Sequence, residues 1–257
     1  MFLFPLLLVL INCAYSSDKF KPILTAKIED FPHHVSIYET SYDIPVYLCS
    51  GALHRRNAVI TSAFCVENRP AGILAVHAGS ADRKARPNKY PVKKVIFHPG
   101  VDWYTTESIA ILILTYHYPN STKIHPIEIA QDDEITFEHQ GTTISSWVKM
   151  FGRSEHSQML KTWQLIAIPS RECNSINGVH DDTFCCFAFD ACPDACPSSG
   201  DPLVIEVEPE NGSEPVQKLL GIASFNSWIE CDNGFATRFI KIPYFANWIN
   251  STVETFP

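Results

Sequence analysis

Short β-prone runs recur along this chain about every ten residues, each closed by Pro, Gly, Asn or Asp. They include HHVSIYE, VYLCSGAL, AVITSAF, ILAVHAG, KKVIFHP, SIAILILTY, TTISSWV, WQLIAI, PLVIEVE and KLLGIASF. Tight turns can join antiparallel strands, whereas parallel strands need a long crossover, usually helical. The rhythm therefore predicts an all-β sandwich or barrel rather than βαβ units. One helix stands out near the end, about Tyr244 to Ser251 (YFANWINS), with Pro243 near its start, where a missing N–H is tolerated.

The first residues are set apart from this pattern. Met1–Ser17 (MFLFPLLLVLINCAYSS) has an apolar stretch of roughly ten residues followed by small residues, the form of a cleaved secretion signal. A membrane span needs about 20 apolar residues. The remaining chain, residues 18–257, is expected to be secreted and extracellular. Its 46% hydrophobic content can fill a sizeable core. A formal charge of −8 argues against a nucleic-acid surface and against a basic membrane patch.

Nine cysteines in an exported chain read as disulfides. Cys13 leaves with the signal, so Cys49, Cys65, Cys173, Cys185, Cys186, Cys192, Cys196 and Cys231 remain, an even number that permits complete pairing. The sequons at Asn120, Asn211 and Asn250 are candidate glycan acceptors. The histidines, His33 and His34 included, show no metal-ligand spacing and are expected as surface or strand residues. Neither a metal nor a cofactor is expected.

The segment Tyr47–Cys65, YLCSGALHRRNAVITSAFC, resembles the stretch of trypsin-like serine proteases that ends in Thr-Ala-Ala-His-Cys. Further pieces follow in that family's order: FPHHVSIYE, ESIAILIL, SSWV, RECNSINGVHDDTFC, CPSSGDPLV, GIASF and YFANWIN. The resemblance implies two six-stranded antiparallel barrels, about 28–130 and 131–242, with a cleft between them and the terminal helix at about 244–251. The polar stretch Gln131–Glu138 (QDDEITFE) would join the barrels. It further implies the bridges Cys49–Cys65, Cys173–Cys185 and Cys196–Cys231, leaving Cys186–Cys192; Cys185 and Cys186 are vicinal and can exchange roles.

Acyl transfer in this family needs a serine nucleophile, a histidine base and a buried aspartate that orients the histidine. The matching positions here hold Ser199, Phe64 and Ser108. Phenylalanine accepts no proton at any pH, and a serine in the aspartate position brings no charge. Losing the base alone costs on the order of 10⁶ in turnover. The family's Cys-x-Gly-Asp-Ser is shortened to Cys196-Pro197-Ser198-Ser199, so an oxyanion donor is missing or replaced by Pro197, which has no N–H. Each lost donor costs about 10²–10³. The activation terminus is likewise unmatched: Lys19 is followed by Phe20-Lys21-Pro22-Ile23, and the aspartate that would receive a new terminus falls at Ser198 or in the deletion.

Asp194 matches the aspartate that gives trypsin its Lys/Arg preference, while Asn226 and Thr237 match pocket walls that are normally glycine. Those side chains and Phe64 are expected to occlude the cleft in part. These departures look like the inactivated serine-protease paralogues of parasitic mites. The resemblance implies a monomeric binding protein that meets host defence proteins such as complement. Two alternatives stay open: an enzyme with a base recruited from another loop, and a decoy that captures inhibitors or substrates in the cleft.

Overall fold

The computed structural model describes residues 23–100, 108–131, 140–150, 155–168, 181–188, 195–209, 212–224 and 237–256. After a two-residue strand β1 (Leu24–Thr25), six strands close the first barrel: β2 (His34–Glu39), β3 (Val46–His54), β4 (Ala58–Ser62), β5 (Leu74–Ala78), β6 (Asn88–Phe97) and β7 (Ile109–Leu114). They close in the order β2-β3-β4-β7-β6-β5, every neighbouring pair antiparallel.

The second half begins with β8 (Glu128–Ile129), β9 (Gln140–Ser146), β10 (Lys149–Met150) and β11 (Lys161–Ile168). It continues with β12 (Thr183–Ala188), β13 (Ala195–Cys196), β14 (Pro202–Val207), β15 (Val216–Ala223) and β16 (Thr237–Lys241). Strands β11-β12-β16-β15-β14-β9 return to β11 and form the second six-stranded antiparallel barrel.

Strand β7 shows how the barrels are joined. Its sequence, IAILIL, is apolar without alternation because both of its faces are covered. Ala110, Leu112 and Leu114 enter the first barrel with Val35, Leu53 and Val76. Ile109, Ile111 and Ile113 face a seam shared with Leu219, Ile222 and Ile240 of the second barrel. The C-terminal helix, Ala246–Glu254, closes the same seam with Ile249 and Val253. It follows a 3-10 turn at Ile242–Phe245 and runs three residues beyond the sequence expectation. Val253 extends the buried i, i+4 stripe of Phe245 and Ile249, and this burial outweighs the weak helix propensity of Ser-Thr-Val.

The disulfide expectations need one correction. Cys49 and Cys65 are joined, with Cα atoms 6.0 Å apart. Cys185 and Cys196 are also disulfide-bonded, but Cys173, Cys192 and Cys231 lie outside the described residues. Cys186 is free and buried, so the Cys186–Cys192 bridge is not formed. Side chains alternate along a strand, and Cys185 and Cys186 therefore point to opposite faces of β12. Cys186 points into the second-barrel core with Ile144, Phe184 and Phe239.

Of the candidate glycan sites, Asn120 is exposed. Asn250 is half-buried, and its Oδ1 accepts a hydrogen bond from Arg55 Nη2 at 3.1 Å. Asn211 lies outside the described residues, as do the expected signal segment and Lys19–Pro22.

Candidate functional site

Two elements meet at the cleft between the barrels. From the first barrel, β4 runs into the short helix Ala63–Val66, which carries Phe64. The Ala63 N–H donates to the Ser108 carbonyl at 2.8 Å, and the Cys49–Cys65 bridge ties the helix to β3. Ser108 is buried, and its hydroxyl has no hydrogen-bond partner among the described residues. Neither the Phe64 nor the Ser108 position supplies a proton acceptor of histidine type or a negative charge.

From the second barrel comes the loop Cys196–Asp201. Its Gly200 sits at φ +85°, and a Cβ there would strike the Ser50 carbonyl. This close approach lets the Ser50 N–H donate to the Ser199 carbonyl at 3.1 Å, fastening the loop to β3. The Ser199 hydroxyl lies 3.5 Å from Cys65 Sγ. That sulfur is in a disulfide and has no proton, so the hydroxyl is the donor, and it donates to a weak acceptor rather than to a base.

Ser198 is held more tightly. Its N–H donates to Asp201 Oδ2 at 2.6 Å, and its hydroxyl donates to the Trp147 carbonyl at 2.9 Å. His156 Nδ1 lies 2.9 Å from that same carbonyl and 2.9 Å from Ser198 Oγ. A carbonyl oxygen only accepts, so Nδ1 carries the proton and His156 cannot take one from Ser198 through that nitrogen. Burial holds the His156 pKa below its ordinary value, against the bond to Trp147 O, and the ring is neutral at pH 7.

Behind Ser198 lies a buried polar pair. Asp201 and His34 are both fully buried, with Asp201 Oδ1 and His34 Nε2 3.6 Å apart. His34 Nδ1 is 2.6 Å from Ser145 Oγ, so this ring of the first barrel is anchored on β9 of the second. Burial raises the Asp201 pKa to about 7, against the Ser146 and Ser50 hydroxyls and the Ser198 N–H, which favour the anion. Burial keeps His34 well below its usual pKa, and His33 adds to the effect. The Trp147 ring packs edge-on against His34, with centroids 4.6 Å apart.

Phe64, Ser199, Ser198, Pro197, His156 and Arg69 are among the side chains lining a cavity of about 250 Å³. Pro197 therefore brings a residue without an N–H to the cavity wall. Phe64 lines this cavity, and Thr237 is buried in β16 opposite Cys186. Asp194 and Asn226 lie outside the described residues.

The family model described as Trypsin matches residues 23–249. The chain belongs to the trypsin family. Among curated trypsin-family proteins, it is 28% identical to Trypsin 5G1 of Aedes aegypti over 75% of this chain and 73% of that protein. It is 24% identical to Hypodermin-B of Hypoderma lineatum over 90% of this chain and 86% of that protein. Among solved structures, the trypsin-family fold here is similar to that of scabies mite inactivated protease paralogue S-D1. The TM-score is 0.72 at 19% identity, covering 90% of this chain and 95% of that one. Three side chains that shape this trypsin-family cleft, His34, His156 and Asp201, were not singled out by sequence motifs. Asp201 left one trace: a single carboxylate beside the apolar run Pro202–Ile205.

Proposed function

We propose that this chain is a secreted trypsin-family protein that does not cut peptide bonds and acts by binding another protein. The observation that carries this reading is the Ser199 hydroxyl, which donates to a disulfide sulfur while Phe64 occupies the position of the general base. A serine without an adjacent base is a weak nucleophile at neutral pH. Pro197 adds an independent defect at the place where developing negative charge would be stabilised. The likeness to an inactivated mite paralogue supports the reading that this chain does not cut peptide bonds. Host defence proteins such as complement are the partner class proposed. The protein is expected to act as a monomer.

The expected result is no hydrolysis of Lys or Arg esters and amides and no labelling of Ser199 by a phosphonate probe. The Phe64→His, Ser108→Asp double variant is expected to remain far below trypsin-like turnover, because Pro197 and the shortened loop are unrepaired. Labelling of Ser199 in the wild-type chain would overturn the reading. For the partner, capture from serum followed by a complement-deposition assay is the direct test; unchanged deposition removes complement from the proposal.

One observation favours the alternative of a recruited base. His156 lines the same cavity as Ser199, and with Nδ1 protonated its Nε2 is the basic nitrogen. If that reading held, His156→Ala would abolish a measurable hydrolysis that Phe64→Ala leaves intact.

A further inference from the structure

Residues Arg83, Lys84, Arg86, Lys89, Lys93 and Lys94 place six of the chain's twenty Lys and Arg in one short stretch, DRKARPNKYPVKK, of a protein with net charge −8. The fold exposes the four lysines on the outer wall of the first barrel, whereas Arg83 and Arg86 are part-buried over the Tyr47 and Tyr38 rings, and Arg83 also donates to the Ser157 and His156 carbonyls. In β6, Tyr90 and Val92 are buried, so alternation turns Lys89 and Lys93 outward. The register shifts between Val92 and Lys94, and this bulge puts two consecutive lysines at the surface. Lys84 is exposed on the preceding loop.

Little on this wall offsets the charge. The flanking strands β5 and β7 read LAVHA and IAILIL and carry no carboxylate. The exception is Asp82 on the loop, whose Oδ1 accepts the Lys84 N–H at 2.9 Å and whose Oδ2 accepts from Gln158 at 3.0 Å; its charge offsets Lys84 in part and leaves Lys89, Lys93 and Lys94 without an acid. Elsewhere, three cations have carboxylate partners, Arg55 with Glu254, Arg69 with Glu39 and Lys123 with Glu29. Among the described residues, no carboxylate pairs with Lys84, Arg86, Lys89, Lys93 or Lys94. At physiological ionic strength charges are screened beyond about 8 Å, so acidic groups on the other barrel do not neutralise this face.

We propose that this wall is a binding site for a sulfated polysaccharide. The choice of ligand rests on what the wall lacks. Protein interfaces are anchored by exposed aromatic and large apolar side chains and are depleted in lysine. Here no large hydrophobic side chain is exposed between Val46 and Tyr116 among the described residues, and the exposed cations are lysines. Lys89 and Lys93 are about 13 Å apart along the strand, a span that a linear, repeatedly charged polymer can follow. Sulfate esters stay ionised at all physiological pH values and offer only acceptors, matching a wall of donors. The inference does not rest on whether the chain is catalytically inactive.

The test is calorimetric binding of a heparin octasaccharide to the full-length mature chain at about 0.15 M salt. Wild type is expected to bind, with affinity falling steeply as salt rises, and fully desulfated heparin is expected not to bind. The Lys84→Ser, Lys89→Ser, Lys93→Ser variant is expected to weaken binding at least about tenfold. An Arg55→Ser, Lys123→Ser, Lys161→Ser control, with the same change in net charge, is expected to stay within about twofold of wild type. If the first variant does not fold, protection of Lys84, Lys89 and Lys93 from acetylation by heparin in the wild-type chain decides instead. Absence of binding, an equal loss in the control, or equally tight binding of polyglutamate or duplex DNA would each overturn the proposal.

Discussion

The two elements that meet over Ser199 are held by different kinds of force. The Phe64 corner is tied by a covalent bridge across 16 residues of sequence and by backbone hydrogen bonds to its neighbours. The Ser198–Asp201 loop has backbone hydrogen bonds to Ser50 and Ala223, and it is also held by polar groups from distant parts of the chain: the His34 and His156 side chains and the Trp147 carbonyl, with Ser145 behind them. In the family the loop is ordered by a charged pair formed on activation. Here a hydroxyl, a neutral imidazole and a buried carboxyl occupy that ground. If the chain is inactive as proposed, its cleft keeps its walls in place without the catalytic groups.

Breaking the contact between the two elements is expected to have the largest effect. Gly200→Ala places a Cβ against the Ser50 carbonyl at a φ that only glycine adopts easily. The expected loss is about 4 kcal/mol or more, measured by urea denaturation. A loss below about 1 kcal/mol would mean that the loop does not sit against β3 as described. Next comes the covalent tie: Cys49→Ala with Cys65→Ala is expected to cost about 3 kcal/mol for a loop of this length.

The polar side of the comparison is sharpened by Ser198→Ala, which leaves the Trp147 carbonyl and His156 without their shared partner. About 1–3 kcal/mol is expected to be lost. If the loop moves as a unit, the chemical shifts of His34 and His156 change together; if only His156 responds, the latch and the buried pair are independent.

The most diagnostic effect, opposite in sign to the others, is that of Asp201→Asn. Burial raises the native carboxyl to about 7 from an ordinary 3.8, so between those values the folded chain binds a proton that the unfolded chain releases. Stability therefore falls as pH rises from about 4 to about 7 and levels off above that. Histidines act in the opposite sense. His33 and His77, lowered by burial to about 3 and about 4, stay neutral when folded. Their contribution is present above about 6.5 and is lost as pH falls toward those values. Asp201→Asn is expected to abolish the first slope, leave the second, and make the protein more stable than wild type at pH 8. An unchanged profile from thermal melting between pH 4 and pH 8 would show that the carboxyl titrates normally.

The same contrast explains what could be read from the sequence. The Phe64 corner was legible because its parts, β3, the cysteines and Thr61–Cys65, are close in sequence and carry a spacing. The strands were legible from their apolar runs, and β7 announced its double burial by lacking alternation. The latch was not legible. His34 and Asp201 are separated by more than half the chain, and nothing local marks either residue as half of a pair. His156 follows a stretch with no motif at all. The Cys185 and Cys186 roles needed the strand's alternation, which appears only once the sheet register is fixed.

Cys186 also offers a way to observe the second barrel at work. Its thiol sits among the side chains of the barrel core, and burial raises its pKa, so little thiolate is present to react. An alkylating reagent can then reach the sulfur only when β12 parts from its neighbours. The rate of modification of this one atom is a clock for barrel opening, independent of any bound partner. Run with and without a ligand, it would report whether occupancy of the cleft is felt through the second barrel.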